Sequence, residues 1–295
     1  MSISYHILQR DATTIISDIP ARVIIAGGTV VIAASSQIGR PPVTCRMAGG
    51  LVYRRDTGEI VEPIAGRDGG GDRIRDLRES MARLRDVINA GCKPGSIWTT
   101  HTYRALVRDP LAVKQDWQAY IRWARRYTGR QLEYIAALEP QRRGAWHIHA
   151  IIIPGADDQT SVYIPQADAL AAWRSIASKR MPEGDTRTSG GVHLHRIEDG
   201  GDNIGAYLSA YLSDLPGDKG GRLHYYPAGM HFWRASRGVE RPTVIEGLSL
   251  AQAREVAQRH TGCSCPSYSR GYQVDDGMGR FLACGCTEQY VTGRG

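Results

Sequence analysis

No stretch of this chain is apolar enough, for long enough, to cross a bilayer. The most apolar early run, Ala21 to Ala34, is split by Gly27-Gly28, whereas a spanning helix needs roughly 20 apolar residues. The run reads as a β-hairpin instead. A secretory leader is missing too, because the first residues lack a basic region followed by a long apolar stretch. These absences point to a cytoplasmic protein without a membrane partner. There, the six cysteines are expected as thiols or metal ligands rather than disulfides. Residues 1 to 70, rich in glycine and short β-like runs, carry no recognisable motif.

The bulk composition allows a sizeable core. At 295 residues and 42% hydrophobic content, the chain suits one large domain with appendages or two modest domains. A net charge of +7 and a pI near 9.2 favour a polyanionic partner. The basic charge is concentrated. Residues 104 to 143 hold nine Arg and Lys against four acids, among them Arg122, Arg125, Arg126, Arg142 and Arg143, the candidates for holding a nucleic-acid backbone. Trp98, Tyr103, Trp117 and Trp146 are candidates for stacking on unpaired bases.

Apolar periodicity sets the expected elements. Gly66 to Asp72 reads as a flexible linker. Ile74, Leu77, Met81, Leu84 and Ile88 then recur at helical spacing up to Gly91. A strand follows at Ile97 to Tyr103. Asp109-Pro110 marks a helix start, and Gly129 its end. Strands are expected at Leu132 to Glu139, Trp146 to Ile153 and Val192 to Ile197, and further helices at Ala167 to Lys179 and Asp202 to Leu215. The order β-α-β-β-α-β-α predicts an α+β fold whose first six elements follow the ferredoxin-like, split βαβ pattern with an antiparallel sheet. The expected domains are a β-rich extension at 1–70, a core at 72–235, and a cysteine-bearing extension at 236–295.

The chemistry is carried by Trp146-His-Ile-His149. Residues two apart on a strand share a face, so His147 and His149 project together as a metal-binding pair. A turn centred near Arg143 pairs position 139 with 147 and 137 with 149, which places Glu139 on the same face. Two imidazoles and a carboxylate suit Mg²⁺ or Mn²⁺ with coordination positions left open for phosphate oxygens. Downstream, Tyr207 and Tyr211 lie at i and i+4 of an expected helix, again on one face. A tyrosine hydroxyl, with an ordinary pKa of about 10, becomes a useful nucleophile towards a polarised phosphate.

Three segments resemble the motifs of the HUH endonuclease superfamily, in particular its rolling-circle replication initiators with two tyrosines, known from plasmids and phages. They are Ile97-Trp-Thr-Thr-His-Thr-Tyr103, Leu138-Glu-Pro-Gln-Arg-Arg-Gly-Ala-Trp-His-Ile-His149, and Asn203-Ile-Gly-Ala-Tyr-Leu-Ser-Ala-Tyr-Leu212. The resemblance covers about half the chain. It implies nicking of single-stranded DNA at a replication origin through a 5′-phosphotyrosine, and a partnership with the host replication machinery. The family often has lysine three residues after each tyrosine; here Ala210 and Asp214 stand there, with Lys219 or the basic helix as substitutes. A transposase or conjugative relaxase would share the chemistry, and the chain, which lacks a helicase-like P-loop, does not separate these. A third alternative is a non-enzymatic, zinc-containing nucleic-acid-binding protein.

Competing signals sit beside these. His193 and His195 form a second His-x-His, read as the strand bordering the site, with its histidines within reach of phosphate. His101 should face away from Thr100 and Thr102, as core rather than ligand. Glu133 and Asp202 are read as surface acids. Cys263-x-Cys265 and Cys284-x-Cys286 are candidate ligands for structural Zn²⁺, with pair spacing tighter than usual. Cys45 and Cys92 are isolated and read as structural.

Overall fold

The computed structural model describes residues 4–8, 19–36, 44–46, 52–54, 60–61, 70–141, 143–155, 158, 160–185, 188–198, 222–227, 229–275 and 281–293. They form two compact units, Met1–Arg67 with Pro242–Gly295, and Asp68–Arg241. The fold is mixed α+β with antiparallel sheets.

In the first unit, β1 (Ser4–Leu8), β2 (Pro20–Ala26), β3 (Thr29–Ser35), β12 (Thr243–Ser249), β13 (Tyr268–Asp275) and β14 (Phe281–Val291) make one sheet in the order β1-β13-β14-β3-β2-β12. The two terminal segments, expected as separate extensions, therefore pair with each other. The β2–β3 hairpin is the expected one, turning at Gly27 with φ 55°. Helix α4 (Leu250–Thr261) begins at a capping box in which Ser249 and Gln252 satisfy each other's backbone N–H groups, and ends at left-handed Gly262. Its Leu250, Ala253 and Ala257 join Val23, Val30, Ile32 and Tyr290 in the core of this unit. The short strands β4 (Thr44–Arg46), β5 (Val52–Arg54) and β6 (Ile60–Val61) form a separate sheet.

The second unit holds α1 (Gly70–Gly91), β7 (Ile97–Tyr103), α2 (Pro110–Thr128), β8 (Leu132–Pro140), β9 (Trp146–Pro154), α3 (Gln166–Ala177), β10 (Gly190–Arg196) and β11 (Trp233–Ala235). Helix α1 starts earlier than the spacing predicts, taking in Gly70 to Asp72 from the expected linker. Its Leu77, Met81, Leu84 and Ile88 are buried. Helix α2 follows its sequence signals: the Asp109 carboxylate accepts from Leu111 N at 2.8 Å, Pro110 occupies the first turn, and Gly129 closes it at φ 64°. The expected helix at 202–215 lies outside the described residues.

The sheet of this unit runs β10-β7-β9-β8-β11, with every neighbouring pair antiparallel. Its two faces differ. Thr99, His101 and Tyr103 on β7 share a face with Ile148 and Ala150 on β9 and with Tyr134, Ala136 and Leu138 on β8. Helices α2 and α3 cover that face: His101 is caged by Trp117, Tyr120 and Trp173 at ring-centroid distances of 5.4, 4.3 and 4.6 Å. The opposite face carries Trp98, Thr100, Ile135, Ala137, Glu139, His147, His149 and Ile151. Trp233, which pairs with Ala137, donates its indole N–H to the Ser80 carbonyl at 2.9 Å, so α1 lies on this second face at β11.

Candidate metal centre

Strand pairing gathers the candidate ligands. In the β8–β9 hairpin Glu139 pairs with His147 and Ala137 with His149, the register expected from side-chain parity. The ligand atoms of Glu139, His147 and His149 all lie within 4.8 Å of one another. Glu139 and His149 are buried, at 2% and 5% exposure, while His147 is half-buried. A buried carboxylate is costly unless charge or hydrogen bonds compensate it. Here His149 Nε2 lies 3.0 Å from Glu139 Oε2.

The ring nitrogens away from the cluster are also engaged. Thr100 Oγ1 lies 3.3 Å from His149 Nδ1, and Gln141 Nε2 lies 3.4 Å from His147 Nδ1. Such partners orient a ligating imidazole and set its tautomer. Thr100 can do so because it pairs directly with His149 across β7 and β9. Burial, with the adjacent His149, pushes the His147 imidazole down to about 4, so near neutral pH its lone pair is available to a cation. The donor set of two nitrogens and one carboxylate fits a divalent ion with positions left for substrate.

Around this centre the remaining candidates fall into place or out of it. Strand β10 borders the site as expected: His193 pairs with Thr100, His195 with Trp98. Both imidazoles are exposed, with ring centroids 5.2 Å apart, on the face of the metal cluster. His101 points to the other face, fully buried, as its strand position predicts. Arg143, at the hairpin tip, donates to the Tyr103 carbonyl at 3.0 Å and to Gln141 Oε1 at 3.2 Å. With Arg104, Thr102, Thr188 and Gly190 it lines a polar crevice of about 560 Å³. Arg104 was not singled out in the sequence, since nothing in a lone arginine after a strand marks it.

Several expectations need correction. Arg122, Arg125 and Arg126 belong to α2, on the face of the sheet opposite the cluster, and Arg125 is tied to the Leu132 carbonyl through Nε at 3.0 Å. Arg122 and Arg126 are exposed there. Tyr103, Trp117 and Trp146 are 3%, 4% and 1% exposed, so their ring faces are packed in the core and only Trp98 retains an accessible place near His149, at 5.9 Å between ring centroids. Glu133 is buried, not a surface acid, and accepts from Gly238 N at 3.3 Å. The cysteines do not assemble into a ligand group among the described residues. Cys284 and Cys286 face the core of the first unit beside Cys263, whose thiol donates to the Val291 carbonyl at 3.2 Å, whereas Cys265 is exposed. The tight Cys-x-Cys spacing on β14 reflects two inward positions of one strand. Cys92 is buried; the side chain of Cys45 lies outside the described residues, as do Arg142, Asp202, Tyr207, Ala210, Tyr211, Asp214 and Lys219.

Residues 96–215 match the family model of the replication-associated protein ORF2, a family of rolling-circle replication initiators. The matched segment begins one residue before β7 and contains the Glu139, His147 and His149 positions. No curated protein and no solved structure matches the chain. Among the described residues no helix is long and apolar enough to cross a membrane.

Proposed function

We propose that the chain nicks and rejoins single-stranded DNA at a replication origin, using Tyr207 and Tyr211 as nucleophiles and Glu139, His147 and His149 to hold Mg²⁺ or Mn²⁺. The observation that carries this reading is the three-ligand cluster on the open face of the sheet, within the segment that matches a replication-associated family. The bound cation would supply Lewis-acid polarisation of the scissile phosphate. A tyrosine oxygen attacks phosphorus, the bond to the 3′ oxygen breaks, and the tyrosine's proton ends on that leaving oxygen. The products are a 5′-phosphotyrosine and a 3′ hydroxyl that can prime synthesis by the host machinery. Joining reverses the step: a 3′ hydroxyl attacks and the tyrosine leaves.

The protein's own groups then have distinct tasks. Thr100 and Gln141 hold the imidazoles in orientation. The Arg104–Arg143 crevice suits the phosphate backbone on either side of the cluster, in place of the α2 arginines. The order of β7 to β10 follows the split βαβ pattern, which leaves one sheet face for substrate. A cytoplasmic location follows from such a role. The test is a nicking assay on single-stranded origin DNA with Mn²⁺. Wild type should yield a covalent protein–DNA adduct, and His149→Ala none. An adduct that persists in the Tyr207→Phe/Tyr211→Phe double variant would overturn the tyrosine mechanism.

A further inference from the structure

A second cavity lies on the helix-covered side of the same sheet. It encloses about 360 Å³, within the roughly 300–1,000 Å³ range of small-ligand sites. Its walls come from α2 (Lys114, Trp117), from β8 (Tyr134, Leu138) and from the segment leading into β11 (Phe232, Arg234). The register explains the composition. Arg234 pairs with Ala136, and Leu138 N donates to the Phe232 carbonyl, so Phe232 and Arg234 line the edge strand on the side of Tyr134 and Leu138. Lys114 and Arg234 supply two cations at an aromatic and aliphatic hollow. The buried indole N–H of Trp117 has no hydrogen-bond partner, and a buried unsatisfied donor is costly. An acceptor bound beside it would offset that cost.

We infer that this cavity takes an unpaired nucleobase of a DNA strand, stacked against Tyr134 and Phe232, with Lys114 and Arg234 on the flanking phosphates. Three properties favour that occupant over a protein side chain. Flat aromatic walls match a base of any identity. The two cations match a polyanion. Leu138 in the cavity and Glu139 in the metal cluster are adjacent residues of β8, pointing to opposite faces, so one strand rounding the sheet edge can reach both. The cavity is therefore an anchoring subsite, apart from the reacting atoms. The inference rests on the single-stranded DNA substrate proposed above, and its test does not require nicking.

The experiment is photo-cross-linking of the intact wild-type chain to a 20-mer of thymidylate carrying 5-iodouracil, followed by peptide mapping, together with the affinity of the same chain for unlabelled thymidylate 20-mer. Cross-links should map to Tyr134 or Phe232. Phe232→Ala should weaken binding about tenfold, as expected for one stacked base. Met230→Trp, which fills the cavity without removing a wall, should weaken it similarly while Mn²⁺ affinity stays unchanged. Cross-links confined to other surfaces, with affinity unaltered in Met230→Trp, overturn the inference and leave the groove to a protein partner. Absence of nicking alongside cavity cross-links would count against the proposed activity and not against this site.

Discussion

Thr100→Val isolates the contribution of a single hydroxyl to the metal centre. Threonine and valine have nearly the same shape and both suit a strand, so β7 should keep its pairing with β9 and β10. What disappears is the Oγ1 contact at 3.3 Å to His149 Nδ1. When Nε2 turns to a cation, Nδ1 carries the proton and needs an acceptor, and valine offers none. A neutral hydrogen bond is worth about 0.5–1.5 kcal/mol net, and 3.3 Å lies at the long end of the useful range. About 1 kcal/mol corresponds to roughly a fivefold change in an equilibrium constant; losses on removing such supporting partners typically run to about 10–100-fold. The expected result is a roughly three- to tenfold weaker Mn²⁺ dissociation constant by isothermal titration calorimetry, with thermal stability within about 1 kcal/mol of wild type. Thr102→Val is the control, because its hydroxyl contacts Gly191 across the strand pair instead. If wild type binds Mn²⁺ and Thr100→Val binds it equally well, or if both valine variants lose affinity alike, orientation of His149 by Thr100 is refuted.

Other perturbations test the frame that positions the centre. Asp116 is 4% exposed, accepts from Tyr103 Oη at 2.9 Å and pairs with Arg180 at 2.8 and 3.0 Å; Asp116→Ala should cost about 2–3 kcal/mol in urea denaturation, the range for hydrogen bonds to charged groups. A Cβ on Gly190 would stand 2.4 Å from the Thr102 carbonyl oxygen, so Gly190→Ala must push β10 away from β7 and should lower stability by about 1–3 kcal/mol, read as a lower Tm. Burial holds His101 down at about 3, below its ordinary 6.5, so the unfolded chain binds the proton more readily. Its contribution is complete above pH 6.5 and falls by about 1.4 kcal/mol per pH unit as the pH drops towards 3; between about pH 6.5 and 4.5 the stability of His101→Gln should decline less steeply than that of wild type.

The legible parts of the chain are those in which a local rule decides the outcome. Alternation on Ile97–Tyr103 and Trp146–Pro154, the Asp109-Pro110 start and the Gly129 stop of α2 all act within a few residues, and the structure follows them. The Glu139–His147–His149 cluster was legible for the same reason, because a five-residue connection leaves one register for the hairpin. Contacts between distant segments were not. The sequence assigned 104–143 to one basic surface, yet α2 and the β8–β9 hairpin tip lie on opposite sides of a sheet, so charge near in sequence is divided in space. Pairing of the two terminal segments in one sheet spans most of the chain, and no local pattern encodes it. The cysteine pairs looked like a ligand set because four sulfurs in two close pairs resemble one; in the structure the strand period alone brings Cys284 and Cys286 inward.

The division of the sheet explains why the same strand can serve chemistry and recognition without conflict. On β8, odd-numbered positions from 135 to 139 lie on the cluster side and even-numbered positions from 134 to 138 on the helix side. A one-residue slip of the β8–β9 register would exchange the two sets, bringing Leu138 to the metal face and burying Glu139 under α2. The Gly144 turn guards against that slip: it sits at φ 81°, a backbone conformation that favours glycine, and a Cβ there would meet the Tyr225 ring at 2.9 Å. The hairpin tip is thus fixed from outside by the 222–226 segment, whose Tyr226 packs edge-on against Trp146 with ring centroids 5.0 Å apart. Removing the Tyr225 and Tyr226 rings should therefore loosen the cluster even though neither touches it. In hydrogen exchange, the amides of 139–149 should lose protection before those of β7 in the Tyr225→Ala/Tyr226→Ala variant. Uniform loss across the sheet would show instead that the segment stabilises the unit as a whole and has no particular hold on the hairpin.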